Sequence, residues 1–541
     1  MWQLKYYFGI LSLLSGVLTS WVPLNVSSPL RLNYTNYELR YFDVPMYYTD
    51  TCEPKGNRTI NIALRRAYQN HTNPLQSRSL WCLSGGPGQA GVHGPALIRM
   101  LTKTALENTI VAYLPDFRGT GFSTPFPPVE NENTTLYFNK TYGIDFEAVT
   151  TTFGACDVLL LKKQIMLEQK SYKRQLLYGS KAFNVDKLHF VYGISYGTLL
   201  AQRIMLIDNN AFLSAILEGV VSPNLNLFDL FSLATDVIQN IANECSLNEN
   251  CSSGLPFITR EFLLGNENVI PDQCRQIFNE SFEGYTLFNR GLFVIEHRLV
   301  QSEDYIDKRV LALGLINKLA ECSSAESVLR LFRKARLYML YRSTVPSLSA
   351  SVEHCNSNSI IPCGLSDPSL ELNQAVYFLI STLDMYDGTN FNTNDVPSNW
   401  LFPKHILLSH LSPLIENLDM KLNRTKDKYF QKMVHDIGNT NVFILQGMYD
   451  INTPAVSSHD VIHNIYENQQ DQIYTYFFRN GGHNVLLDET NHCTTRILYD
   501  AHVGGKKSKV SESCMDRINR QGINWNMTAY KMEGFDIETK L

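Results

Sequence analysis

Short apolar runs that end in turn residues recur along the first part of the chain. Their β-branched and aromatic residues are typical of strands, and the runs lie at Asn61–Tyr68, Ser79–Leu83, Thr109–Leu114, Lys187–Tyr192 and Phe212–Val221. Stretches with helical spacing, such as Phe146–Gln169 and Thr198–Ile207, alternate with these runs. This alternation predicts β-α-β units and a mostly parallel sheet flanked by helices, which is an α/β fold.

The hydrophobic pattern changes in the middle of the chain. Amphipathic helical patterns such as Leu227–Glu244 and Ala325–Arg342 dominate there, and strand patterns return only in Val442–Asp450 and Ile473–His483. We therefore predict one α/β domain interrupted by a helical insertion. The predicted parts are a signal peptide over 1–20, the first part of the core over 21–225, a helical cap over 226–435 and the second part of the core over 436–541.

The N-terminus has the pattern of a secretory signal. One lysine is followed by an apolar run of signal-peptide length, then by small and hydroxyl residues around Thr19 and Ser20, where we expect cleavage. The run is too short to span a bilayer comfortably, although an uncleaved anchor is the alternative. No later segment has a second apolar run of spanning length. The mature protein is thus expected to be soluble, either secreted or in the lumen of the secretory or lysosomal pathway.

Glycosylation sequons and cysteines fit that compartment. Ten sequons begin at Asn25, Asn33, Asn57, Asn70, Asn133, Asn139, Asn250, Asn279, Asn423 and Asn526. The 11 cysteines lack paired C-x-x-C spacing, which favours disulfides over a zinc site. The odd count leaves at least one thiol free or paired with another chain. Cys82 and Cys156 lie in apolar segments, which is consistent with small core residues.

Composition narrows the class of partner. The chain has 541 residues, 44% hydrophobic and 18% charged, with a formal net charge of −5. These values are those of an ordinary globular protein, and they argue against a nucleic-acid partner. We expect no cofactor and no metal, and the sequence leaves the oligomeric state open.

The sequence VYGISYGT, residues 191–198, contains the motif G-x-S-x-G around Ser195. In a strand-turn-helix context this motif exposes a nucleophilic serine at a sharp turn, and the small residues Gly193 and Gly197 avoid clashes in that turn. An apolar strand pattern precedes the motif and a helical pattern follows it. The alternative is an ordinary Gly-Ser turn between two core elements.

A nucleophilic serine needs a base and an acid that orients the base. Asp450 follows one predicted strand and His483 follows the next, so the chain order is Ser, Asp, His, as in α/β-hydrolases. Glu218, at the end of the strand pattern AILEG, is the rival acid. We favour Asp450 because the turn after it frees the carboxylate.

An oxyanion hole requires two backbone N–H groups near the nucleophile. One should belong to Tyr196 and the other to the loop LSGGPGQAG, residues 83–91. Pro87 has no N–H, so Gly86 or Gly85 must donate. The G-K-[ST] ending of a phosphate-binding P-loop is absent.

Six ordered motifs resemble those of the prolyl iminopeptidase and tripeptidyl aminopeptidase family of α/β-hydrolase serine peptidases, with the tripeptidyl branch closer. They are SGGPG, DFRGTGFSTP, GISYGT, LEGVVSP, GMYDINTP and GGHNVLLDETNHC. The resemblance implies a helical cap, a Ser195, Asp450 and His483 triad, and an oxyanion hole made by Gly86 and Tyr196. It also implies that Asp116 and Arg118 brace a loop. Ser84 and Glu218 depart from the family pattern.

The expected function is a secreted serine exopeptidase that hydrolyses short N-terminal units, from one residue to three, from peptides with a free N-terminus. A secreted carboxylesterase or lipase would use the same triad. A serine carboxypeptidase is disfavoured because Ile194 stands where that family has an acid. An inactive hydrolase-fold binding protein would lack a triad member, and the sequence contains all three.

Overall fold

The computed structural model describes residues 20–23, 35–91, 109–124, 146–176, 188–225, parts of 229–249, 374–385, 426–483, 485–486 and 492–520, and the structural features below belong to these residues. Residues 1–19 and most of 226–435 lie outside them. The signal peptide and the cap boundaries therefore stay predictions.

Nine strands form one sheet in the described part of the chain. They are β1 (Val22–Pro23), β2 (Thr35–Pro45), β3 (Thr59–Gln69), β4 (Arg78–Leu83), β5 (Ile110–Pro115), β6 (His189–Ile194), β7 (Ser214–Glu218), β8 (Asn441–Gly447) and β9 (Ile473–Phe478). Their order is β1-β2-β3-β5-β4-β6-β7-β8-β9. The strands from β5 to β9 in that order are parallel, whereas β1, β2 and β3 pair antiparallel at one side.

Six α-helices have bounds that lie among the described residues, and further helical residues are described within 229–249. They are α1 (Thr151–Leu176), α2 (Tyr196–Ile207), α3 (Gln374–Leu383), α4 (Ala455–Gln469), α5 (His492–Tyr499) and α6 (Lys509–Arg520). A short π-helical segment, Asp500–Gly504, follows α5, and short 3₁₀ segments lie at Phe146–Ala148 and Gln470–Gln472. The parallel strands, the helices between them and a strand-turn-helix at Ser195 give the predicted α/β-hydrolase fold.

The alternation of side chains along each strand separates two apolar cores. Val191 of β6 packs into the core that contains residues of α1, α2, α3 and α4. Phe190 and Tyr192 on the same strand pack into the opposite core, with residues of α5 and α6. Because the parallel strands are buried on both faces, they read as continuous apolar runs in the sequence.

The predicted elements that lie among the described residues agree in position with the structure, and the differences lie at their ends. The predicted helix Ala325–Arg342 and much of Leu227–Glu244 lie outside the described residues. The run predicted as Phe212–Val221 forms a strand only over Ser214–Glu218, because the chain turns at Gly219, which has a φ of 58°. The predicted helix Thr198–Ile207 begins at Tyr196. The stretch Phe146–Gln169 divides into a 3₁₀ segment and α1. The sequence patterns did not indicate β1 or β2.

Two disulfides join described parts of the chain. Cys52 pairs with Cys156 and Cys493 pairs with Cys514. Cys156 is buried, as predicted for a small core residue, and its disulfide also fastens α1 to the segment between β2 and β3. Cys82 is a buried free thiol.

Two of the ten sequon asparagines, Asn57 and Asn70, lie among the described residues, and both are exposed. The other eight lie outside the described residues. Within the described part of the chain, no helix is both long and apolar enough to cross a membrane.

Candidate active site

Ser195 lies at the turn between β6 and α2, with backbone angles of φ 55° and ψ −127°. An L-residue rarely adopts these angles, and the surrounding bonds hold them. The Ser195 N–H donates to the carbonyl oxygen of Glu218 (2.9 Å), and the Ser195 carbonyl accepts from the Thr198 N–H (2.8 Å) and hydroxyl (2.6 Å). The conformation expected for a nucleophile turn is thus present.

Close contacts with neighbouring backbone atoms require glycine at both Gly193 and Gly197. A β-carbon at Gly193 would lie 2.4 Å from the Gly197 carbonyl oxygen, and one at Gly197 would lie 2.1 Å from the Leu83 carbonyl oxygen. Any side chain at either position would push α2 away from β4 and β6. The close approach explains why the sequence has G-x-S-x-G at this turn.

Asp450 follows β8 and is fully buried. Its Oδ1 accepts from the N–H groups of Asn452 and Thr453, both at 2.9 Å. Its Oδ2 accepts from the Thr453 hydroxyl at 2.7 Å and lies 2.8 Å from His483 Nδ1. These donors fix the carboxylate with one oxygen facing the imidazole.

His483 lies in the turn after β9, where it is buried next to Asp450. Two glycines precede it, and the Gly481 carbonyl accepts from the Tyr449 N–H at 3.0 Å, which joins the turns after β8 and β9. Burial alone would lower the pKa of His483, but the adjacent Asp450 carboxylate, with a smaller contribution from Glu218, raises it. A raised pKa indicates an imidazole prepared to accept a proton and to keep its positive charge.

The turns that carry Ser195 and His483 meet at the end of β7. Glu218 accepts the Ser195 N–H through its backbone, and a β-carbon on the next residue, Gly219, would lie 2.9 Å from the His483 ring. Asp450 is the acid bonded to His483. The carboxyl group of Glu218, the rival acid, is bonded instead to the Tyr192 hydroxyl and the Leu486 N–H.

The predicted oxyanion loop lies against the nucleophile turn. A β-carbon at Gly85 would be 3.0 Å from Ser195 Cβ and 3.5 Å from Ser195 Oγ. Gly86 has a φ of 101°, in the region that favours glycine. Tyr196 is the first residue of α2. The loop therefore approaches Ser195 at Gly85, next to Gly86, and Tyr196 follows Ser195 directly, so the oxyanion hole of Gly86 and Tyr196 stays a prediction.

Asp116 joins the loop of residues 83–91 to the loop after β5, which fits the bracing role that the family resemblance implies for it. Its carboxylate accepts from the N–H groups of Gly91 (2.8 Å) and Phe122 (2.9 Å) and pairs with Arg65. Arg118 does not pair with Asp116. It pairs with the buried Asp157 of α1 at 2.6 Å and donates to the carbonyl oxygens of Met46 and Ala148.

Two residues of the site were not identified from the sequence. The Thr453 hydroxyl donates to Asp450 and lies 3.1 Å from His483 Nδ1. The buried Gln446 donates to Asp450 Oδ2 at 3.3 Å and accepts from the Val220 N–H at 3.2 Å. A threonine three residues after an aspartate is a local turn signal that could indicate the first contact. The contact of Gln446 with Asp450 spans only four residues, whereas its contact with Val220 depends on the pairing of β7 with β8, which no local pattern reveals.

The described residues offer little for other chemistries. Among them, no group of three or more histidine, cysteine, aspartate or glutamate side chains is arranged to hold a metal ion. Burial raises the pKa of the Cys82 thiol, so this cysteine is protonated at neutral pH and is a poor nucleophile. The arrangement around Ser195 suits nucleophilic attack with proton transfer to an imidazole.

Comparisons with known proteins find structural likeness only. No family profile and no curated protein sequence matches the chain. Similar solved structures include a proline iminopeptidase of Mycobacterium smegmatis, at 11% identity over 86% of this chain and 100% of that chain, with a TM-score of 0.35. A serine hydrolase of Cycloclasticus zankles has 11% identity over 86% and 99%, with a TM-score of 0.32. A thermophilic esterase of Thermogutta terrifontis has 11% identity over 85% and 100%, with a TM-score of 0.30. At these values the neighbours' activities do not decide what this chain does.

Proposed function

We propose that the chain is a secreted serine exopeptidase that removes short N-terminal units from peptides with a free N-terminus. The observation that carries the hydrolase part of this proposal is the hydrogen-bonded pair of His483 and Asp450, which meets the strained Ser195 turn at the end of β7. The order of the six motifs supports the aminopeptidase part. The disulfides and the exposed Asn57 and Asn70 support the secretory compartment.

In the proposed mechanism, Ser195 Oγ attacks the scissile carbonyl carbon while His483 Nε2 takes the hydroxyl proton. Asp450 holds Nδ1–H and stabilises the resulting imidazolium. The N–H groups of Gly86 and Tyr196 stabilise the oxyanion of the tetrahedral intermediate. Collapse of the intermediate breaks the C–N bond, and the departing amine takes the proton from His483. Water then attacks the acyl-enzyme by the same steps, which releases the N-terminal unit and restores Ser195.

The test uses the secreted, glycosylated protein with fluorogenic amides of one, two and three residues, each with a free or acetylated N-terminus, and a p-nitrophenyl ester. We expect the free peptides to be cleaved with a kcat/KM at least about tenfold above that of their acetylated forms, because acetylation removes a charged hydrogen bond of about 1.5 to 3 kcal/mol.

The inactive Ser195→Ala protein is the control for background hydrolysis in this panel. Equal cleavage of free and acetylated peptides, or a strong preference for the ester, would indicate a broad esterase or endopeptidase and contradict the exopeptidase proposal. Absence of turnover on every substrate would contradict a serine hydrolase.

A further inference from the structure

Glu218 contacts both chain segments that carry the proposed nucleophile and base. It is the last residue of β7 and is fully buried. Its backbone carbonyl accepts the Ser195 N–H at 2.9 Å. One side-chain oxygen accepts the Leu486 N–H at 2.6 Å, three residues after His483, and the other accepts the Tyr192 hydroxyl. One residue thereby joins the Ser195 turn to the His483 turn.

Gly219, the residue after Glu218, adds a close packing contact between β7 and the His483 ring. Gly219 has a φ of 58°, and a β-carbon there would lie 2.9 Å from both Cε1 and Nδ1 of His483. The imidazole therefore packs directly on the backbone that follows Glu218. A shift of the His483 turn away from β7 would move the ring relative to Ser195, and displacements of about 1 Å in such sites lower rates about a hundredfold.

We propose that Glu218 is a positioning residue for His483, whose side chain holds the His483 turn against the Ser195 turn and whose negative charge stabilises the protonated imidazole. This role rests on the proposed serine hydrolase mechanism and extends it. Asp450 orients the ring from one side, and Glu218 fixes the chain segment that carries the ring.

The groups around Glu218 allow its charge to change while its hydrogen bonds persist. They are Tyr192 on β6, Asp450 after β8 and His483 after β9, with the protonated Cys82 of β4 beside Tyr192. Burial raises the pKa of Glu218 to about 7, although the Tyr192 hydroxyl, the Leu486 N–H and His483 act in the opposite direction. The Tyr192 hydroxyl can donate to the carboxylate or accept from the carboxylic acid. The Leu486 bond is compatible with both forms, so protonation changes the field at His483 and leaves its turn in place.

The test measures the rate at which a fluorophosphonate labels Ser195, which requires no knowledge of the natural substrate. Ser195 Oγ attacks phosphorus, fluoride leaves, and His483 takes the hydroxyl proton. Glu218→Gln keeps an oxygen for the Leu486 N–H and removes the charge. We expect its labelling rate at pH 8 to stay within about threefold of the wild type. We expect its ratio of rates at pH 7 to pH 8 to rise about 1.5-fold or more, because part of Glu218 is charged at pH 7 and the imidazole without that charge loses its proton more readily.

Glu218→Ala leaves the buried Leu486 N–H without its acceptor, and we expect its labelling rate at pH 8 to fall about tenfold or more. Asp460→Asn is the matched control for Glu218→Gln, because it also replaces a carboxyl group by its amide. Asp460 also accepts a hydrogen bond from the chain after β7, through the Ser222 hydroxyl, and none of its described hydrogen bonds reaches the His483 turn. Its pH 7 to pH 8 ratio should equal that of the wild type.

The outcomes separate the two proposals. A wild-type protein that is labelled at Ser195, together with an unchanged ratio in Glu218→Gln or a wild-type rate in folded Glu218→Ala, overturns the role of Glu218 alone. If Glu218→Ala does not fold, the ratio in Glu218→Gln decides. A wild-type protein that is not labelled at all overturns the serine hydrolase mechanism and the role of Glu218 with it.

Discussion

At the scale of single residues, the backbone conformation of Ser195 lowers the stability of the fold, and the proposed reaction requires the serine hydroxyl at this strained position. A non-glycine residue with φ 55° and ψ −127° is strained by about 1–3 kcal/mol, and the hydrogen bonds to Glu218 and Thr198 hold it there. In this conformation Ser195 lies against Gly85 and is hydrogen-bonded to Glu218, whose neighbour Gly219 packs on His483. The residue that would relax the turn, glycine, has no hydroxyl.

We therefore predict that Ser195→Ala and Ser195→Gly both lose activity by several orders of magnitude but differ in stability. Glycine adopts the turn without strain, and its greater freedom in the unfolded chain offsets only part of the gain. Ser195→Gly should have a free energy of unfolding about 1 kcal/mol above that of Ser195→Ala, measured by urea denaturation. Retention of more than a tenth of wild-type activity in either variant would show that Ser195 is not the nucleophile.

The second prediction at this scale concerns the acid. Asp450→Asn should lower kcat by about three to four orders of magnitude, because an amide neither stabilises the imidazolium nor fixes the tautomer that donates from Nδ1. Glu218→Gln is the comparison, since it makes the same chemical change in a buried carboxyl group bonded to Tyr192 and Leu486. Steady-state kinetics of the two variants on one substrate decide between them. A greater loss in Glu218→Gln would transfer the orienting role to Glu218.

At the scale of elements, α2 lies so close to β4 that no side chain fits between them. We predict that Gly197→Ala lowers the free energy of unfolding by about 3 kcal/mol or more, since its β-carbon would lie 2.1 Å from the Leu83 carbonyl oxygen. Gly56→Ala is the control. Gly56 has a φ of 85° but nothing within 4 Å of the added β-carbon, so only the backbone strain of about 1 kcal/mol applies. Equal unfolding midpoints for the two variants would contradict the close packing of α2.

The elements that the sequence predicts correctly are those with a strong local pattern. β4, β6 and β8 are buried on both faces and read as continuous apolar runs, and the strand-turn-helix at Ser195 follows from its glycines. β2 is different. Its sequence TNYELRYFDVP mixes charged and aromatic residues, because this antiparallel strand lies towards the side of the sheet and its order depends on pairing along β3.

The features of the site also divide into those that a local sequence pattern indicates and those that depend on contacts between distant parts of the sequence. Ser195, Asp450 and His483 follow strand patterns and turn residues that a single sequence displays. The pairing of Cys52 with Cys156 spans 104 residues, and the contact of Glu218 with Leu486 joins β7 to a turn beyond β9. Such contacts are set by the order of strands in the sheet, which one sequence does not specify.

At the scale of the whole molecule, two buried titratable groups give the stability opposite dependences on pH. Burial raises the pKa of Glu218 to about 7, so the folded protein binds a proton that the unfolded chain releases above its ordinary value of 4.5. This contribution is fully present below pH 4.5 and is lost as the pH rises through 7. Burial lowers the pKa of His502 to about 4, so its contribution is present above pH 6.5 and is lost as the pH falls through 4. Between pH 4.5 and 6.5 the two contributions change in opposite directions.

The last prediction isolates the histidine. His502 lies in the π-helical segment, with its ring 4.6 Å from that of Phe190 and its Nδ1 bonded to the Leu498 carbonyl oxygen at 2.7 Å. Asparagine can keep a donor to that carbonyl but does not titrate. The loss of ring packing on Phe190 is the same at every pH, so the change with pH in the difference in unfolding free energy between the wild type and His502→Asn reports the proton. We expect this difference to change by about 3 kcal/mol in favour of the variant as the pH falls from 7 to 4. Urea denaturation at pH 4, 5, 6 and 7 measures it. A difference that stays constant over this range would mean that His502 binds its proton equally well in the folded and unfolded chains.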